Sequence, residues 1–240
     1  MKRICIIGDS HVAAMKVGWQ SIAGEHTNME LTFFAAGGSE LEALVVSEGR
    51  LFASSTRVRK MFKHSSQGKA FVGPRYHRYI VCGLGLEIMK VLTLFREMVV
   101  DKPSRPDSDQ LVLEAFCELN RGTLALKTIS KLREITEREV VVIATPFPCT
   151  KSLLALPDFS SIGIDDTVRC ASLFAESCRR VLAVAGARFL PQPQETVASN
   201  QISTLDTFCS NAERLARGPD DNVHKNAAYG TIVLKAVLSF

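Results

Sequence analysis

The chain has 240 residues and a formal net charge of +4, with 46% hydrophobic and 22% charged residues. That length fits one α/β domain, and that composition excludes an intrinsically disordered chain. The modest positive charge comes without a nucleic-acid-binding motif, so it names no partner, and nucleic acid is not expected. Met1-Lys2-Arg3 leads into an apolar run too short for a signal-peptide core, and no segment reaches the roughly 18 apolar residues of a membrane span. A soluble, cytoplasmic protein with no membrane partner is the expectation.

Taken in chain order, apolar runs rich in β-branched residues occur at 4–7, 31–35, 79–82, 140–144 and 188–190. Helical periodicity fills the spaces at 12–23, 87–100, 110–137, 165–185 and 226–238. In the first helix Val12, Met15, Trp19 and Ile22 share one face, which packs on the sheet. Strands alternating with helices predict an α/β fold with a parallel sheet covered on both faces. Three stretches stand outside the alternation. Segment 57–78 carries seven Lys or Arg, two His and no acidic residue. Segment 101–109 reads as a surface loop, and 191–221 is irregular before the last helix. One domain over 1–240 is expected, with a basic insertion around 50–78 over the sheet edge or its carboxyl ends.

The seven cysteines contain no C-x-x-C pair, so neither a zinc ribbon nor a closed disulfide framework is suggested. Cys5, Cys82 and Cys149 sit in or beside apolar runs and read as small buried hydrophobes.

The first strand ends in Gly8-Asp9-Ser10-His11 and passes directly into a helix, which puts Ser10 where ligands bind in open α/β sheets. The free N–H groups and positive dipole of that helix start would stabilise a developing oxyanion. Taken alone, Ser10 reads as an N-cap and Asp9 as a turn residue. At the other end of the chain, Asp221-Asn222-Val223-His224 precedes the last helix. Its spacing puts an acid and a base within one turn, able to face the same cleft. A hydroxyl nucleophile needs such a base, oriented by an acid or carbonyl.

With these blocks in this order, the chain resembles the SGNH (GDSL-like) hydrolase superfamily. Gly8, Asp9 and Ser10 match its first block, and Asp221 and His224 match its last. The glycine whose N–H enters the oxyanion hole looks like Gly37 or Gly38. The third block departs from the family: Gly83-Leu84-Gly85-Leu86 follows the strand, and Gly85 stands where an Asn side chain is usual. A backbone N–H of Gly83 or Gly85, or the side chain of Asn200 or Asn222, is the expected substitute, and the two glycines also suit a tight turn.

The resemblance implies a three-layer α/β/α sandwich around a mostly parallel five-stranded sheet, the flavodoxin-like form of this superfamily. It implies Ser10 as nucleophile, His224 as general base and Asp221 as the orienting acid, with Asp220 as the fallback. His11 would line the pocket, and Asp9 would hold its loop by accepting backbone N–H bonds. The expected reaction is hydrolysis of a small O-acyl ester, most plausibly an acetyl ester on a carbohydrate, with no metal or organic cofactor. Acyl transfer by the same chemistry and a binding module with weak catalysis are the alternatives. Segment 57–78 reads as a solvated face, or as an anion-tolerant rim suited to acidic sugars or phosphorylated acyl donors. Oligomeric state is left open.

Overall fold

The computed structural model describes residues 1–101, 108–160, 162–209 and 223–240. Its elements run β1 (Lys2–Gly8), α1 (Val12–Ile22), β2 (Met29–Ala35), β3 (Leu44–Ser47), β4 (Arg50–Ala53), α2 (Thr56–Ser65), β5 (Phe71–Val72) and β6 (Arg78–Cys82). They continue with α3 (Ile88–Phe95), α4 (Asp109–Arg121), α5 (Leu124–Arg133), β7 (Glu139–Ile143), α6 (Thr150–Leu154), α7 (Pro157–Ser160), α8 (Ile164–Val184), β8 (Arg188–Leu190) and α9 (Ala227–Ser239).

Five strands form a sheet in the order β2-β1-β6-β7-β8, and all four pairings are parallel. The period of two along β1 sends alternate side chains to opposite faces. Ile4 and Ile6 join Met15, Tyr229, Val233 and Leu234 of α1 and α9. Cys5 and Ile7 join a larger core with Phe95, Phe116, Leu132 and Phe174, from α3, α4, α5 and α8. The result is the three-layer α/β/α arrangement that the sequence predicts. Among the described residues no helix is long and apolar enough to cross a membrane.

β1 lies between β2 and β6, so the connection through α1 leaves to one side and the chain later returns to the other. The carboxyl end of β1 is therefore the point where strand order reverses, and a crevice opens there. Ser10 lies two residues beyond that end.

Two expected features take another form. The helical pattern at 110–137 is two helices, because the chain turns at Gly122-Thr123 and α5 starts anew, its Ala125 N–H donating to Leu84 O at 2.9 Å. The basic segment is not irregular. It holds β4, α2 and β5, with β3, β4 and β5 forming a small antiparallel sheet. Val58 and Phe62, one turn apart on α2, are buried, and the Phe62 ring meets Phe34 with centroids 5.2 Å apart. The outer edge of β2 is thereby covered, the Ala35 N–H donating to Ser65 Oγ at 3.0 Å.

Candidate active site

The turn after β1 is fixed by one carboxylate. Asp9 Oδ1 accepts the His11 N–H at 3.0 Å, and Asp9 Oδ2 accepts the Leu84 N–H at 3.2 Å across to the loop after β6. Val12 N–H donates to Asp9 O at 3.2 Å and opens α1. Ser10 is thus held at the mouth of the crevice, and its own N–H has no partner among the described residues.

His224 comes from the far end of the chain. Its Nε2 lies 2.9 Å from Ser10 Oγ, and its side chain is nearly inaccessible, with the residue 3% exposed. With Nε2 unprotonated, the serine hydroxyl donates to it. The flanking residues hold the base in place. Asn226 caps α9 by accepting the Tyr229 N–H at 3.1 Å, and its Nδ2 donates to Thr207 O at 2.9 Å. Lys225, equally buried, donates to Cys149 Sγ at 3.4 Å.

The two helices bearing these residues pack with their backbones in contact. A Cβ at Gly230 would strike the Ala14 carbonyl, and one at Gly18 would lie 2.5 Å from the Thr231 N. Only glycine at both positions permits the approach that brings the α1 start and the α9 start to one point.

Asp221, the expected orienting acid, lies outside the described residues, as do Asp220 and Asn222. His11 sits beside the pair, its ring 5.5 Å from that of His224. Several expected oxyanion donors are engaged elsewhere. The Gly83 N–H donates to Ile143 O at 2.9 Å, which corrects its reading as a donor to substrate. Gly83, Leu84 and Gly85 all have positive φ, at 77°, 57° and 88°, so the two glycines serve a tight left-handed turn. Gly85 faces Thr123 and Lys90, both within 3.7 Å of a Cβ built there. Asn200 Oδ1 accepts from Ile202 N, Ser203 N and Ser203 Oγ, and so organises its own loop.

The Gly37 N–H, also expected in the oxyanion hole, donates to Glu40 Oε2 at 3.2 Å. Glu40 in turn pairs with Arg57 Nε at 2.7 Å. Gly38, with φ of 27°, starts the next helical turn, and its N–H has no partner among the described residues. Of the expected backbone donors, the N–H groups of Ser10, Gly38 and Gly85 are the ones without a partner among the described residues.

Two recesses flank the Ser10–His224 pair. One, about 740 Å³, runs from Ser10 and Gly37 between α1 and α2. The other, about 200 Å³, is lined by His11, Glu87, Thr145, Ser152 and Val223 among others. The hydroxyls of Thr145 and Ser152 are buried without a hydrogen-bond partner among the described residues, a costly state that a polar ligand group would relieve. Thr145, Ser152 and Glu87 belong to none of the motifs read from the sequence. Thr145 follows a strand at its carboxyl end, which was the available signal.

Cys149, read from the sequence as a plain buried thiol, is in a disulfide with Cys209. The other five cysteines are buried. Burial pushes the thiols of Cys5, Cys82, Cys170 and Cys178 well above the usual range, so none is a nucleophile at neutral pH.

No described protein family matches the chain, and no curated protein matches it in sequence. Among solved structures, it is similar in fold to a protein of the DUF4886 family from Bacteroides uniformis. The identity is 9% and the TM-score 0.51, over 100% of this chain and 83% of that one. An extracellular lipase from Streptomyces rimosus aligns at 12% identity and a TM-score of 0.49, over 100% of this chain and 99% of the lipase.

Proposed function

We propose that the chain is a serine ester hydrolase with Ser10 as nucleophile and His224 as general base. The observation that carries this reading is the 2.9 Å approach of His224 Nε2 to Ser10 Oγ, between residues 214 positions apart. Ser10 Oγ attacks the ester carbonyl as its proton passes to His224. The oxyanion is held by the N–H groups of Ser10 and Gly38, and collapse expels the alcohol, which takes the proton from the imidazolium. Water, deprotonated by His224, then attacks the acyl-enzyme and releases the acid. Asp221 orients the imidazole in this scheme. Every proton is carried by these residues, so the cycle needs no metal or organic cofactor.

The finer reading is removal of a small acyl group, acetyl, from a carbohydrate. The smaller recess supports it, because its volume suits a short acyl group and its two hydroxyls offer polar contacts. Acyl transfer to an acceptor alcohol would use the same acyl-enzyme, and free acetate measured against acylated acceptor separates the two reactions.

The test is labelling by a fluorophosphonate probe together with turnover of p-nitrophenyl acetate. Labelling and turnover that vanish in Ser10→Ala are the expected result. A folded wild-type protein that is neither labelled nor active overturns the assignment.

A further inference from the structure

The larger recess has a composition that a small acyl group does not use. α1 contributes Ala13, Lys16, Val17 and Gln20, spaced i, i+3, i+4 and i+7, so one helical face forms one wall. α2 contributes Arg57, Lys60, Met61 and His64 with the same spacing, and the side chains of Phe33 and Ala35 on β2 lie between. A volume of about 740 Å³ lies within the ~300–1,000 Å³ range of sites that enclose most of a small organic ligand.

The charges along this groove do not balance. Among the described residues Glu40 is its one acidic lining residue, and it is already paired with Arg57 at 2.7 Å. Lys16 donates to Ser65 O at 2.9 Å. Lys60 and His64, adjacent turns of one face, are exposed and have no acidic partner among the described residues. The other basic residues of α2, Arg59 and Lys63, lie off the groove. The basic helix therefore has a solvated side and a side aimed over an apolar trough that opens on Ser10. Apolar walls with the Lys60 ammonium and the His64 imidazole at the rim complement an apolar group bearing an anionic head.

We propose that the groove between α1 and α2 binds an anionic amphiphile, with its apolar part against Val17, Phe33 and Met61 and its anionic group at Lys60 and His64. In the reaction this is the portion of the ester opposite the acyl group. The substrate class thus narrows, within acylated carbohydrates, to those whose alcohol part also carries an apolar segment and a negative charge. This assignment rests on the hydrolase reading for its role in turnover, but the binding site stands on the groove alone.

The experiment measures binding and turnover separately. Octyl phosphate and the neutral octyl glucoside, both below their micelle concentrations, are titrated calorimetrically into the Ser10→Ala protein. Octyl phosphate is expected to bind at least about tenfold more tightly, which corresponds to one attractive contact of ~1.4 kcal/mol. Lys60→Gln is expected to remove most of that preference, and Lys60→Gln with His64→Gln all of it. Lys63→Gln, off the groove, is expected to leave it intact. In the wild type, octyl phosphate is expected to slow fluorophosphonate labelling of Ser10, because the groove opens on it. No preference for the anionic ligand, or an equal loss in Lys63→Gln, overturns the proposal. Fluorophosphonate labelling without octyl phosphate binding leaves the hydrolase reading standing and removes this one. Octyl phosphate binding by an unlabelled, inactive protein does the reverse.

Discussion

α1 has two unlike flanks. Against α9 its backbone comes so close that Gly18 and Gly230 cannot carry a side chain, while against α2 it leaves a groove of about 740 Å³. The closed flank sets the distance between the loop that carries Ser10 and the turn that carries His224. The open flank leaves room for something other than protein. One helix therefore holds the chemistry in register on one side and receives a ligand on the other. The two flanks should respond differently to added volume, because a close-packed interface transmits strain and an open groove does not.

The largest effect is expected where the two flanks meet. Ser10→Ala and His224→Ala should each lower kcat/KM by at least about 10⁴-fold, with Asp221→Ala retaining more and Asp220→Ala close to wild type. Full activity in Ser10→Ala would end the mechanism, and damage from Asp220→Ala with Asp221→Ala harmless would shift the acid by one residue. On the closed flank, Gly230→Ala should cost about 3 kcal/mol in urea unfolding, because the new methyl meets the Ala14 backbone. A cost under about 0.5 kcal/mol would mean that the helices are not locked together. On the open flank, Ala13→Phe adds far more volume yet should change stability by no more than about 0.5 kcal/mol. It should weaken octyl phosphate binding more than tenfold, and unchanged affinity would show that the ligand lies elsewhere. The smallest effect is expected in the minor recess. Thr145→Val removes a buried hydroxyl that has no partner among the described residues and should raise stability by about 1 kcal/mol while raising KM for acetyl esters. A loss of stability would show that the hydroxyl is satisfied in the folded protein.

The five strands of the main sheet were legible as apolar runs, β-branched in the central strands β1, β6 and β7, where burial on both faces writes such a run into the sequence. Ser10 and His224 were legible as short blocks at strand and helix ends. The break at Gly122-Thr123 was not, because what starts α5 is the carbonyl of Leu84, far upstream in the chain, catching the Ala125 N–H. The order in segment 57–78 was missed because its charges outnumber the two buried residues, Val58 and Phe62, that define the inner face of α2. Of each pair of candidate oxyanion donors, one member, Gly83 or Gly37, was not separable from the other in sequence for a related reason. A sequence shows that a glycine has an N–H, but not that Ile143 O or Glu40 has already claimed it.

The Cys149–Cys209 bond closes a ring across a separation of 60 residues, and Lys225 donates to the sulfur of the same Cys149. The chain thus leaves one sulfur pair at 209 and is back at it by 225, with His224 the residue just before. Disulfides persist in oxidising compartments and are rare where glutathione is reducing, so this bond carries information about where the protein lives. Of the seven cysteines, five are unpaired, and titration of the denatured protein as isolated from its own cells should find five reactive thiols. Seven would mean that the native environment keeps the pair reduced, in line with the cytoplasmic expectation, and that the turn bearing the base is held there by packing and hydrogen bonds alone.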